Sequence, residues 1–302
     1  MLITPATIRT LQTTFSTQFR SAYGAAETTW QNYATMVPSA TRQNDYGWMA
    51  KIPRLREFLG PRVVQNLNSY HYQLVNRHYE LTVGVDRSDI EDSNLGVYAP
   101  LFESMGEQAA MWPDDLAVDA LEGGIANVSF DGVPFFSAAH PSLLPGAPVV
   151  ANNFPATALT AANYELVRSS MSTTFIGEDG RPLGVRPNLL VVPPALERTA
   201  RTILEAELIP SDAGTSPQTN VLRNTATVLV MERLASPTTW FLMDTRRPIK
   251  PLIYQLRRAP ELVSKTAPTD ENTFWDNQFV WGMDARGAVG YSLWFLAARA
   301  IA

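Results

Sequence analysis

The apolar positions of this chain repeat at helical spacing over one long stretch, from Ser88 to Gly124. Leu95, Tyr98, Phe102, Met105, Ala109, Trp112, Leu116 and Ala120 recur at steps of three or four, which places them on one stripe of a helix. Ser88 with Glu91 reads as a capping box, Asn94 as a second N-cap, and Gly123 with Gly124 as a left-handed stop. Pro100 and Pro113 each remove an intrahelical donor, so a bend or a restart is expected at both. The other side carries Asp89, Glu91, Asp92, Glu103, Glu107, Asp114, Asp115, Asp119 and Glu122, with no Lys or Arg in the stretch. Such a face is either ordinary solvated surface or the wet side of a long backbone strut, and the order of the other elements favours the strut.

A second helical stripe precedes it. Thr4 caps, Pro5 takes the first helical position, and Ile8, Leu11, Phe15, Phe19 and Tyr23 follow before Gly24. This helix comes before any compact element and leads into a loose stretch, Met36 to Asn44. It therefore reads as an arm that lays its stripe on a neighbouring copy, the alternative being a helix packed on its own domain. From Asp45 to Asp86 the chain reads as a long excursion. A short helix at 54–59 ends at Gly60-Pro61, and extended segments follow around 62–67 and 70–85. Tyr79, Leu81, Val83 and Val85 alternate with Glu80, Thr82 and Gly84, the period of a half-buried strand. An isolated hairpin is marginal in water, so this aromatic-rich excursion needs a surface, on its own domain or on an adjacent copy.

The second half predicts a sheet with helices against it. Residues 142–158, rich in Pro, Ala and Asn, mark a boundary. Helices are expected at 159–174 and from Leu196 to Leu208, and strands at 187–192, 225–231 and 239–243. The last segment, 274–301, reads as two strands separated by Asp284-Ala-Arg-Gly287.

Composition narrows the function. The 302 residues allow one large core or two moderate ones, and 45% hydrophobic with 18% charged content is globular. A net charge of −5 argues against a sequence-reading nucleic-acid binder but suits a container for nucleic acid. There is no cysteine, which excludes disulfides and thiolate sites, and His71, His78 and His140 leave little for a metal. No apolar run approaches a membrane span and no secretory signal is present, so a cytosolic origin without membrane, cofactor or metal is expected. Asp131, Ser137 and His140 invite a catalytic-triad reading. They are bunched in one segment without a nucleophile elbow, so a turn cluster bonding nearby backbone is the better reading. Gly177 to Gly184 lacks the G-K-[ST] ending of a phosphate loop. Arg246, Arg247, Lys250, Arg257 and Arg258 form the one dense basic patch, read as pairing with the acidic helix or a neighbouring copy in preference to nucleic acid.

The order of parts resembles the Hong Kong 97-type major capsid fold of tailed phages, which encapsulin shells share. The residues are similar to a narrower family, the major head subunit (T protein) of Mu-like phages and prophages. The similarity runs through Thr41-Arg42-Gln43-Asn44-Asp45-Tyr46-Gly47-Trp48, the block from Val85 to Pro100, Asp131-Gly132-Val133-Pro134-Phe135-Phe136 up to His140-Pro141, and Pro187 to Pro194. The blocks are ordered as in the family and span nearly the whole chain.

The resemblance implies an α+β Hong Kong 97-like fold. Its parts would be an N-terminal arm (1–44), an extended hairpin loop (45–87), a peripheral domain with the spine helix (88–149, rejoined by about 251–302) and an axial domain (150–250). The implied function is a major head protein, not an enzyme, that self-assembles through hexamers and pentamers into an icosahedral shell packaging double-stranded DNA without sequence specificity. The implied partners are further copies, a separate scaffolding/protease protein, a portal protein and a decoration protein, and the location is the virion capsid, assembled in the host bacterial cytoplasm. Residues expected at contacts between copies are Ile8, Phe15, Phe19, Trp48, Lys51, Arg54, Phe58, Tyr70, Tyr72, Arg246 and Arg247, with bends in the spine helix at Pro100 and Pro113. Lys51 is the one lysine in the implied loop, and a covalent Lys–Asn link between copies is not expected. Nor is cleavage of an N-terminal scaffolding segment. The alternatives are an encapsulin-like compartment with protein cargo, and a soluble hydrolase using Asp131, Ser137 and His140.

Overall fold

The computed structural model describes residues 4–47, 72–92, 98–141, 143, 151–177, 180–210, 217–267 and 270–301. Helix α1 (Pro5–Ala25) starts where predicted, with the Thr4 hydroxyl accepting from the Thr7 N–H. Strands β1 (Ala34–Pro38) and β2 (Gln43–Asp45) then occupy the stretch expected to be loose. After β3 (Gln73–Val75) and β4 (Arg77–Asp86) come α2 (Arg87–Glu91) and the long helix α3 (Ala99–Gly123). The first part of the predicted long helix is thus a separate short helix. Its cap is Asp86, whose carboxylate accepts from the Ser88 N–H, and not the Ser88–Glu91 box. The stop of α3 also differs from expectation. Gly124 has a right-handed φ of −64°, and its lack of a side chain serves packing, because a Cβ there would lie 2.6 Å from the Phe136 ring.

The second half carries α4 (Ala161–Thr173), β5 (Leu189–Val192), α5 (Glu197–Leu204), β6 (Leu208–Pro210), β7 (Pro217–Thr219), β8 (Thr227–Val230) and β9 (Trp240–Met243). It ends with β10 (Leu252–Lys265), α6 (Glu271–Trp275), β11 (Gln278–Tyr291) and β12 (Ala297–Ala300). One four-stranded sheet has the order β1-β10-β11-β4 and the other β12-β9-β5-β8. The expected break at Asp284–Gly287 is absent: these residues lie inside β11, paired with β4 on one side and β10 on the other. Ala285 faces the core while Asp284 and Arg286 stay half-buried, so the segment alternates as a strand does.

Two apolar cores result. The smaller lies between α1, α3 and the first sheet. Phe15 stacks on Phe102 at 4.0 Å between ring centroids, and Trp281 meets both rings edge-on. Gly106 lets the helices approach closely, since a Cβ there would collide with the Phe19 carbonyl. The larger core runs from the second half of α3, through Ala117, Val118 and Leu121, into the second sheet, whose β5 and β9 are buried at every position.

Two polar nodes, one partly and one fully buried, tie distant segments together. At the first, the Asp114 carboxylate on α3 accepts from the Thr29 N–H and hydroxyl and from the Tyr33 hydroxyl. Burial, reinforced by the Asp114 charge, pushes the Tyr33 phenol well above its ordinary value. At the second, the Asn153 side-chain N–H groups donate to the carbonyls of Phe135, Trp294 and Ala297, while its oxygen accepts from the Ser137 N–H. His140 Nε2 lies 3.1 Å from that same oxygen and Nδ1 lies 2.6 Å from Asp131, with the ring stacked on Trp294.

Replacing Asn153 by Ala is expected to cost about 3 kcal/mol or more, since several buried groups lose their partners at once; urea unfolding measures it, and a change under 1 kcal/mol would show the node to be dispensable. A phenol with a raised folded value stabilises fully below its unfolded value, near pH 10, and that stability is lost as pH rises further. Tyr33, Tyr72 and Tyr254 are all raised, chiefly by burial. Each is expected to remove about 1.4 kcal/mol per pH unit above about 10. Tyr33→Phe should shallow this alkaline slope in a pH series of melting curves; an unchanged slope would contradict the assignment.

Candidate assembly surface

The residues expected to contact a neighbour fall into three groups. Phe15 and Phe19 are buried in this chain's own core, with Ile8 packed at its margin, which corrects the arm reading. The stripe is satisfied because α3 and Trp281 present a matching apolar surface within the same chain. Tyr72 is likewise engaged at home: its hydroxyl accepts from the Tyr291 N–H at 2.8 Å, and it sits 6.4 Å from the Tyr46 ring. Arg246 and Arg247 flank the buried Asp244 carboxylate and donate to the carbonyls of Arg186 and Leu183, so their charge answers an acid on their own strand end, not the acidic helix. Trp48, Lys51, Arg54, Phe58 and Tyr70 lie outside the described residues.

The two prolines of the long helix behave differently from expectation. Pro100 stands in the first turn of α3, where its missing donor costs nothing. Pro113 lies inside a continuous helix with no restart, and deprives the Ala109 carbonyl of its backbone donor.

The acidic side of α3 is not uniformly solvated. Asp114 is the node described above, Glu122 accepts from the Ala235 N–H, and Asp115 pairs with Arg233. Glu103, Glu107 and Asp119 are exposed. Arg299 of β12 donates to the Glu122 carbonyl and lies against Phe154 and Phe241, with its guanidinium value lowered by burial. Hydrolase chemistry has no footing at the turn cluster. His140 is fully buried, both ring nitrogens face Asp131 and Asn153, and the Ser137 hydroxyl accepts from the Ala139 N–H.

Among the described residues, one face of the first sheet is left partly open. Its inner half is covered by the β2–β3 ladder, anchored where the buried Gln255 accepts from the Tyr46 hydroxyl and donates to Leu74 and Asn76. Its outer half presents basic and acidic side chains in register: His78 beside Arg286 beside Arg258, and in the next row Glu80 beside Asp284 beside Glu261. Residues directly opposite on neighbouring strands share a face, so each row lies on one side of the sheet. His78, Arg257, Arg258, Asp284 and Arg286 line a cavity of about 400 Å³ there. A cleft of about 410 Å³ lies at the base of β3, between Tyr79, Asp119, Val128 and Tyr291. The sequence did not show the charge rows, because they exist only once the register of three strands is known. The period-two spacing of His78 with Glu80 and of Asp284 with Arg286 was the readable trace.

Among the described residues no helix is long and apolar enough to cross a membrane. The family profile of the Mu-like prophage major head subunit gpT matches residues 8–157, 153–234 and 231–301. The major capsid protein of Escherichia phage Mu is 30% identical over 297 residues, covering 98% of this chain and 74% of that protein. The Mu-like prophage FluMu major head subunit of Haemophilus influenzae is 28% identical, covering 98% of this chain and 73% of its own length. Among solved structures, the procapsid of bacteriophage JBD30 superposes with a TM-score of 0.61 at 32% identity, over 99% of this chain and 76% of that one. These relatives are structural proteins of phage heads, which bears out the resemblance and the Hong Kong 97-type fold and disfavours both the compartment and the enzyme alternatives. From residue 8 to residue 301, the chain belongs to the Mu-like prophage major head subunit family.

Proposed function

We propose that copies of this head protein assemble through hexamers and pentamers into a closed icosahedral shell around double-stranded DNA. The observation that carries this is the family match over nearly the whole chain, joined to a fold shared with an assembled procapsid at 32% identity. Head-to-tail contacts between unlike patches close into rings, and several modest contacts per copy hold the rings together through high effective concentration. The net charge of −5 suits a wall that holds a polyanion without gripping it.

Two sheets support a division of labour. In this reading β5, β8 and β9 with α4 and α5 belong to the axial domain, about 150–250, with β12 of the rejoining segment as the edge strand of their sheet. Helix α3 with β10 and β11 belongs to the peripheral domain, 88–149 rejoined by 251–302, and the larger core runs across both. Residues 45–87 form the loop between copies in this reading, with β4 as its rooted end. Residues 1–44 divide differently from a free arm, because α1 and β1 are already spent on this chain's own core and sheet. The reading brings in a separate scaffolding/protease protein, a portal protein and a decoration protein as partners, and assembly in the host bacterial cytoplasm.

Expression with its scaffold partner is expected to give closed particles by electron microscopy and a fast-sedimenting fraction holding most of the protein. A protein that stays a monodisperse monomer with that partner present would overturn the reading. Filled heads should protect double-stranded DNA from nuclease, whereas protein cargo alone would favour a compartment.

A further inference from the structure

We propose that the open outer half of the first sheet is an interface between copies of this chain, in which the basic row of one copy faces the acidic row of another. The inference rests on the shell-forming reading and names a contact within it.

In the isolated chain the rows are poorly compensated. Arg286 has His78 on one side and Arg258 on the other, and Asp284 stands between Glu80 and Glu261. Like charges directly opposite one another weaken a strand pair. Relief within the chain is partial: Arg258 donates to Asp284 at 3.0 Å and lies 3.9 Å from Glu261. The buried Arg286 Nε and Asp284 Oδ1 atoms have no hydrogen-bond partner among the described residues, and a cavity opens at the same place. His78, Glu80, Arg258 and Glu261 are exposed.

The charge pattern selects the occupant. A nucleic acid would meet the acidic row only about 7 Å from the basic one, two residues along each strand, and would be repelled. A partner with alternating rows of the same spacing fits, and this face is such a partner. A half-turn about a line between the two rows places His78 over Glu80, Arg286 over Asp284 and Arg258 over Glu261, strand by strand. Beyond the rows, Gly282 adds no bulk and Val263 is exposed, so the face stays flat enough for close approach. Contacts of this kind set register and reject like-charged approaches more than they add raw affinity.

The absence of cysteine in the chain makes a direct test possible. Particles co-assembled from Arg258→Cys chains and Glu261→Cys chains are treated with a short bismaleimide crosslinker, since facing sheets stand about 10 Å apart, beyond the reach of a disulfide. A stronger dimer band is expected from the mixture than from either variant alone. Particles that give no dimer band in the mixture, or an equal band from Arg258→Cys alone, would overturn the interface. If the unmodified chain forms no particles, it is the shell reading that fails. A second comparison needs no cysteine. Arg258→Glu is expected to cut particle yield about tenfold, and Arg258→Glu with Glu261→Arg to restore it, with the melting of the unassembled chain little changed. Equal yields from all three chains would also contradict the proposal.

Discussion

The structure depends on burying one helix along its whole length. The first half of α3 is covered on one side by the first sheet, through Trp281 and Phe279, and on another by α1, where Phe15 stacks on Phe102. The second half inserts Ala117, Val118 and Leu121 into the larger core. A single rigid element therefore forms a wall of both cores, and a displacement of either is felt by the other. For a shell subunit this matters, since a stiff strut lets contacts made at one end orient the other.

Buried polar groups then specify how the segments meet. Asp114 holds the Thr29–Tyr33 corner on α3, Gln255 holds the β2–β3 ladder on β10, and Asn153 joins the turn cluster to the chain's last strand. Each node links residues far apart in sequence, and each would be costly if half-formed. Packing alone tolerates sliding; a side chain that satisfies three carbonyls does not. The nodes sit at the junctions between elements, where alternative dockings of the same apolar faces would otherwise compete.

Much of this was legible in the sequence and some was not, for physical reasons. The stripe from Phe102 to Ala120 identified the long helix, and the alternation from Tyr79 to Val85 identified β4, because burial on one face writes a period into the residues. A stripe does not say what covers it, so α1 read as an arm when its partner was α3. Strand β10 escaped notice because Arg257, Arg258, Pro260 and Glu261 interrupt its apolar pattern where the strand carries a bulge. Asp284–Gly287 looked like a turn by composition, yet its charges point out of a sheet face. The head-protein assignment was readable from ordered blocks along the chain. The candidate interface was not, since it arises from register between strands separated by some two hundred residues.

The central claim is that α1 belongs to the body of its own subunit and does not wait for a neighbour. Amide hydrogen exchange on the unassembled chain tests it most directly. The account predicts that amides from Leu11 to Phe19 exchange slowly, with protection comparable to the first half of α3, before any particle forms. Fast exchange of that helix in the free chain, followed by protection only after assembly, would contradict it.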